Sequence, residues 1–341
     1  TMWERGLSSR MHIGLTGGRL SARPRLRPTI IMGVTVLVLT MSPLAHGQTA
    51  LKTIQPERAE TPIGHSFLFL EDPTLTRSPT DVFHALDWGE FSAVPQSSPS
   101  LGLSDSAYWF AARVQPRGPR TKAYFLEIGF PQLDHIQLFT RSRGSTQSHP
   151  ELGDRFPFDA RPIPHRHFVF PLELDGNIPT DILLRVASSS PIKVPVTLWE
   201  RRAFWESDQY SLMGHAGYLG VILVMTLYSL LIYLSASGRV YLYFILSIAS
   251  LGIVHACLSG LAYQFLWSQS PSWNQLAAPI AASLAILFFA LFADACLELP
   301  RSHPKLSRIL TIIGGTGALL AALGPFIPLR LYSDLVIVSV C

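Results

Sequence analysis

Five side chains in the first two-thirds of the chain are of the types that hold a small polar solute: Trp88, Trp109, Asp134, Arg161 and His165. Indole faces pack on the apolar faces of sugars and similar solutes, while carboxylate, guanidinium and imidazole groups supply directional hydrogen bonds. These five are the candidate ligand-binding residues, and each also has a plain structural use. Tyr108 and Phe110 fall on one side of a strand and Trp109 on the other, so at least one aromatic set belongs to a core. Asp134 stands just after Pro131, where a carboxylate caps a turn. No His or Cys residues have zinc-site spacing, and no metal or other cofactor is expected. The cysteines, Cys257, Cys296 and Cys341, all lie in the last third, so residues 48–205 have no disulfide framework and rest on their own core.

A second set of chemically capable residues lies in hydrophobic surroundings. His255 and Ser259 share a helix face at i, i+4 spacing, and His215 sits early in another apolar run. Nucleophilic catalysis would need a base within reach of an activated hydroxyl together with oxyanion donors, and no motif supplies those donors. Hydrogen bonding between helices is the expected role of His255, and the chain is not expected to be an enzyme in itself. Asp294 and Glu298 are one helical turn apart, where snorkelling toward the membrane surface near Arg301 accounts for them.

The elements that must position these residues differ between the two halves. Period-2 patterns bounded by Pro, Gly and Asp recur over residues 60–200, most clearly at Ser66–Leu70, Ala107–Val114, Ala123–Ile128, His135–Thr140, His167–Leu172, Asp181–Val186 and Val194–Trp199. Short strands without helical intervals predict an all-β, jelly-roll-like sandwich over residues 48–205. Residues 212–341 carry only Arg239, Asp294, Glu298, Arg301, Lys305, Arg308, Arg330 and Asp334 as acidic or basic groups, against 15% charged for the whole chain. That half predicts an α-helical multi-span membrane bundle, with spans near 212–235, 240–263, 276–299 and 307–328 and a fifth beginning near 331. Arg201–Tyr210 mixes aromatic and charged residues, as an interfacial connector or a lever into the first span would.

Topology follows from the flanking charges. Arg5, Arg10, Arg19, Arg23, Arg25 and Arg27 precede the apolar run Thr29–Ser42, and Ala45 and Gly47 suit a cleavage site, so residues 1–47 read as an export signal. Those arginines account for the net charge of +4, and nucleic acid is not an expected partner. With the sandwich outside, Arg239, Arg301, Lys305 and Arg308 fall on the inner side and Arg330 alone on the outer, in accord with the positive-inside rule. The second loop offers Trp267 and Trp273 to the interface.

Both halves resemble one family, the bacterial seven-transmembrane receptors with diverse intracellular signalling modules, and the exported half resembles their type-2 extracellular sensor domain. The marks are Gly64-His65-Ser66 with Leu68–Asp72, Leu101–Ser104 leading into Tyr108-Trp109-Phe110, Pro131–Asp134, Gly153-Asp154 with Pro157-Phe158, and Arg161–His165 before Phe168–Leu172. In the membrane half they are Gly238–Phe244 and Gly260–Trp267. The resemblance implies a jelly-roll-like sensor likened to carbohydrate-binding modules, a seven-span bundle in the bacterial inner membrane, and a cytoplasmic output such as a diguanylate cyclase or histidine kinase. Spans six and seven and the output are expected beyond Cys341, where this sequence stops. Expected partners are a small, carbohydrate-like ligand, the lipid bilayer and a second copy of the chain in a homodimer. The alternatives are a transporter or channel with an exported accessory domain, which Pro279 and the Gly314-Gly315-x-Gly317 run as helix breaks would suit, and an exported protein-interaction module.

Overall fold

The computed structural model describes residues 51–94, 99–118 and 120–340; the export signal expected at residues 1–47 lies outside them. Alternation of side chains along the strands builds two facing sheets. The larger runs, edge to edge, Ser92–Ala93, Leu68–Asp72, Ala107–Val114, Thr180–Ala187, His135–Ser142 and Ser145–Ser148, with Thr53–Ile54 added parallel to the end of Ala107–Val114. The smaller runs Phe168–Asp175, Thr121–Ile128, Val196–Glu200 and Glu60–Pro62, all antiparallel. Register places Phe110 opposite Leu184, and Leu184 opposite Leu138, on the inner face. Tyr108, Phe110, Leu126, Phe168, Phe170 and Leu184 fill the space between the sheets. The all-β expectation holds for the sandwich.

The outer faces are also covered, which strict alternation does not foretell. Helix α1 (Pro79–Asp87) lays Val82, Phe83 and Leu86 over Leu68, Trp109, Phe139 and Leu183 on the back of the larger sheet. This corrects the expectation of strands without helical intervals. The local cause is a capping box: Ser78 Oγ accepts from the Asp81 amide and the Asp81 carboxylate accepts from the Ser78 amide, with Pro79 in the first turn. The back of the smaller sheet buries Phe125, Val169 and Trp199 under Phe204.

Phe204 belongs to α2 (Arg201–Ala236), which follows the last strand without a break. Its 36 residues span about 54 Å at 1.5 Å per residue, well beyond the ~30 Å of a hydrocarbon core. The first turns therefore stand outside the membrane, so Arg201–Tyr210 is the rigid start of the span. The rest of the bundle is α3 (Arg239–Leu258), α4 (Leu261–Phe265), α5 (Pro271–Cys296), α6 (Leu299–Ser302), α7 (Pro304–Leu323) and α8 (Leu329–Val340).

Among the described residues, four helical segments are long and apolar enough to cross a membrane: Arg201–Ala236, Arg239–Leu258, Pro271–Cys296 and Pro304–Phe326. The second ends at Leu258, five residues before the expected limit, because Gly260 turns the chain with φ +77°. The third begins early, at Pro271, whose fixed φ suits a first helical turn.

The glycines of α7 do not break it. A Cβ on Gly317 would lie 2.7 Å from the Ser283 carbonyl oxygen, and one on Gly314 would lie 3.2 Å from Ala290 Cβ. They let α7 approach α5 closely, as small residues do in membrane bundles. His255 pairs with His215 across α3 and α2 at 3.1 Å, and the Ser259 hydroxyl donates to the Ala256 carbonyl.

Candidate functional site

The sandwich rests on the outer ends of the bundle through several polar contacts. Tyr263 donates its hydroxyl to the Phe156 carbonyl at 2.6 Å, and the Phe158 amide donates to the Ser268 carbonyl at 3.0 Å. Gln269 bonds Asp159, and Arg330 of α8 pairs with Asp105. Gly260 permits the closest approach, since a Cβ there would lie 2.9 Å from the Arg166 carbonyl oxygen and 3.0 Å from Pro131 Cβ.

Between these contacts lies a cavity of about 380 Å³, a volume suited to a small metabolite. The sandwich lines it with Phe130, Gln132, Asp154, Arg161, Arg166 and Ser190. From the bundle come Leu258 and Tyr263, then Gln275 and Ala278 of α5, then Val336 and Ile337 of α8. Both halves of the chain thus form its wall.

Arg161 is 7% exposed, and its Nη1 donates to the carbonyls of His165 and Arg166 at 2.6 and 3.0 Å. The rings of Phe158, Phe168 and Tyr263 surround its guanidinium carbon at 4.7, 4.5 and 5.6 Å. Those faces offset part of the lost hydration. They do not satisfy the in-plane donors, and Nε and Nη2 have no hydrogen-bond partner among the described residues. Burial pushes the guanidinium down to about 10.

Asp154 is 5% exposed and accepts from the Gln275 amide of α5 at 3.4 Å. Burial, with the nearby Asp134 carboxylate adding repulsion, pushes its carboxyl up to about 7. Near neutral pH it is therefore a mixture of acid and carboxylate.

Beside the cavity, the back of the smaller sheet carries a hydrogen-bonded chain into α2. Glu127 accepts from His167 Nδ1 at 2.6 Å and from Trp199 Nε1 at 2.7 Å. Burial alone would raise the Glu127 carboxyl, but the bond and charge of His167 outweigh it and hold it below its ordinary value. The His167 amide donates to His165 Nδ1 at 3.1 Å, which leaves Nε2–H to donate to Asp208 at 2.9 Å. Burial keeps the His165 imidazole below its usual range despite that carboxylate.

Asp208 also accepts from Arg166 Nη1 at 2.5 Å, and Arg166 Nη2 donates to Ser211 at 3.0 Å, both partners lying on α2. The ligating atoms of Glu127, His165 and His167 lie within 4.8 Å of one another, close enough for a metal ion. Both Glu127 oxygens and the His165 Nδ1 lone pair are already engaged, so the geometry is that of a hydrogen-bond relay.

The five residues singled out from the sequence separate into three places. Arg161 lines the cavity and His165 leads from it into α2. Asp134 is buried at the neighbouring rim, where it accepts from Ser189 Oγ at 2.8 Å and from Arg155 Nε at 2.9 Å. It holds the turn above Asp154, in keeping with the capping role open to it. Trp109 is 1% exposed beneath α1 on the far sheet face and offers no platform to a ligand. Trp88 is 72% exposed at the end of α1 and stands outside both the cavity and the relay.

Asp154, Arg166, Glu127, His167 and Asp208 were not singled out. The His-x-His alternation at 165–167 is the one local signal, and the partners 42 and 43 residues away are a tertiary matter.

Comparison with known families accords with this architecture. A family model described as 7TMR-DISM extracellular 2 matches residues 64–200, and another described as 7TM diverse intracellular signalling matches residues 211–341. No curated protein matches the chain. With one model of this receptor family matching the sandwich and another the bundle, the chain belongs to the 7TMR-DISM family: a transmembrane receptor with an extracellular sensor domain and a 7TM region.

Proposed function

We propose that this receptor senses a small solute in the cavity between the sandwich and the bundle, and that occupancy is passed through the membrane to a cytoplasmic output of the diguanylate cyclase or histidine kinase type. The observation that carries the reading is the shared wall: Arg161 and Asp154 come from the sensor, while Gln275 and Val336 come from helices of the bundle. A ligand touching both favours whichever arrangement of the two fits it better, and differential affinity is what shifts such an equilibrium. Helix α2 supplies a stiff second link, since Phe204 and Asp208 are fixed in the sandwich and the same helix continues to Ala236. Gln132, Ser190 and Gln275 give the cavity hydrogen-bonding groups suited to a carbohydrate-like or other polar metabolite. The proposed setting is the bacterial inner membrane.

Thermal-shift screening of the full chain in nanodiscs, with sugars, carboxylates and other small metabolites, checks this. A stabilising compound should lose its effect in Ala278→Phe, which fills the cavity from α5, and in the milder Ala282→Leu. It should keep its effect in Trp88→Ala. A compound that stabilises the cavity-filled variants as well as the wild type would overturn the assignment.

A further inference from the structure

Arg161 and Arg166 are both buried, at 7% and 4% exposure, and both line the cavity. Three of their nitrogens have no acceptor among the described residues: Arg161 Nε and Nη2, and Arg166 Nε. Buried donors left unpaired are costly, more so on charged groups, and few are retained without a reason. Arg166 has Asp208 as counter-charge, whereas Arg161 makes no ion pair among the described residues and is held by two carbonyls and three ring faces. Asp154, a mixture of acid and carboxylate near neutral pH, compensates the Arg161 charge only in part. The lining that the bundle contributes is mainly apolar and includes Leu258, Val336 and Ile337, with Gln275 and Ser333 among its polar members. A charged fork in a mainly apolar cavity matches an amphiphilic anion.

We propose that the cavity is an anion site: it binds a small organic anion whose carboxylate or phosphate group takes the free donors of Arg161 and Arg166, with its apolar body against Leu258, Val336 and Ile337. This rests on the cavity being the sensing site and names the chemistry of what it senses. A guanidinium offering two parallel N–H groups recognises either oxyanion in a bidentate manner. The anion has two sources, a water-soluble acid from the extracellular side or the headgroup of an anionic lipid beside the bundle.

The test uses the full chain in nanodiscs and reads the melting temperature. One arm has phosphatidylcholine discs with added octanoate, benzoate, inorganic phosphate or, as the neutral control, glucose. The other has phosphatidylglycerol discs with nothing added. At least one anion, or the anionic lipid itself, should stabilise the wild type while glucose does not. Arg161→Met should abolish the effect. Arg161→Lys, which keeps the charge and the reach to the carbonyls but loses the fork, should weaken it tenfold or more and guards against a folding defect in the methionine variant.

Stabilisation in the first arm identifies a soluble acid, and stabilisation confined to the second identifies a lipid headgroup. Stabilisation by glucose that Arg161→Met leaves intact and Ala278→Phe removes would overturn the anion while sparing the cavity as sensing site. Stabilisation by no anion in either arm would overturn the anion site. An anion effect unchanged in Arg161→Met, Arg161→Lys and Ala278→Phe would overturn both the anion site and the cavity.

Discussion

Replacing Asp208 with alanine is expected to cost about 3–5 kcal/mol of stability, the range seen when one partner of a buried ion pair is removed and the other is left in place. Arg166 is 4% exposed and its Nη1 ends on Asp208 at 2.5 Å, with Ser211 as its other side-chain partner. His165, 2% exposed, donates to the same carboxylate oxygen. Alanine would strand a buried cation and a buried imidazole N–H together. Asp208→Asn keeps an acceptor and should lose less. A denaturation series on purified receptor checks the order wild type, Asn, Ala. An Ala variant within about 1 kcal/mol of wild type would mean that the junction is far wetter than its burial indicates.

Gly153→Ala is the second large effect. A Cβ at Gly153 would lie 1.8 Å from the Asp134 carbonyl oxygen and 2.6 Å from its carbonyl carbon. Backbone cannot yield as the tip of a long side chain can, and the Asp134 segment is pinned by Ser188, Ser189 and Arg155. The loop carrying Asp154 would have to leave the rim, and the bond from the Gln275 amide would go with it. Overpacking of this kind costs about 3 kcal/mol, and for a domain of this size a fall of roughly 5–10 °C in melting temperature is expected. The same variant should weaken any cavity ligand. Unchanged stability would show that the two segments can part without cost.

Alternation and hydropathy carry most of the architecture, and the discrepancies have local causes. The strand around Trp109 reads as two-faced, and Trp109 on its outer side suits a ligand platform until α1 is recognised. That helix is nine residues long, and its apolar positions Val82, Phe83 and Leu86 are too few for a firm period. Its capping signal, Ser78-Pro79-Thr80-Asp81, was nevertheless present in the sequence. Arg201–Tyr210 reads as a connector because it is charged, yet no proline or glycine interrupts it, and helical hydrogen bonding continues into the span. For the site, residue type pointed to Arg161 and His165. Local sequence could not show that Asp154 meets Gln275 121 residues later, or that Arg166 meets Asp208. Those pairings exist only once the sandwich sits on the bundle.

The relay and the cavity lead to one mechanical claim, that filling the cavity moves the inner ends of the helices. Spin labels at Leu234→Cys, near the inner end of α2, and Leu297→Cys, just past α5, would test it by pulsed distance measurement, with Cys257, Cys296 and Cys341 replaced by serine. Both labelled positions are exposed, at 68% and 61%. With a compound that stabilises the wild type and fails in Ala278→Phe, the separation should shift by roughly 2 Å or more, the scale of helix displacements in switching proteins. The shift should be absent in the cavity-filled variant. Saturating binding with an unchanged distance distribution would contradict the account, because the cavity would then hold a ligand without telling the membrane.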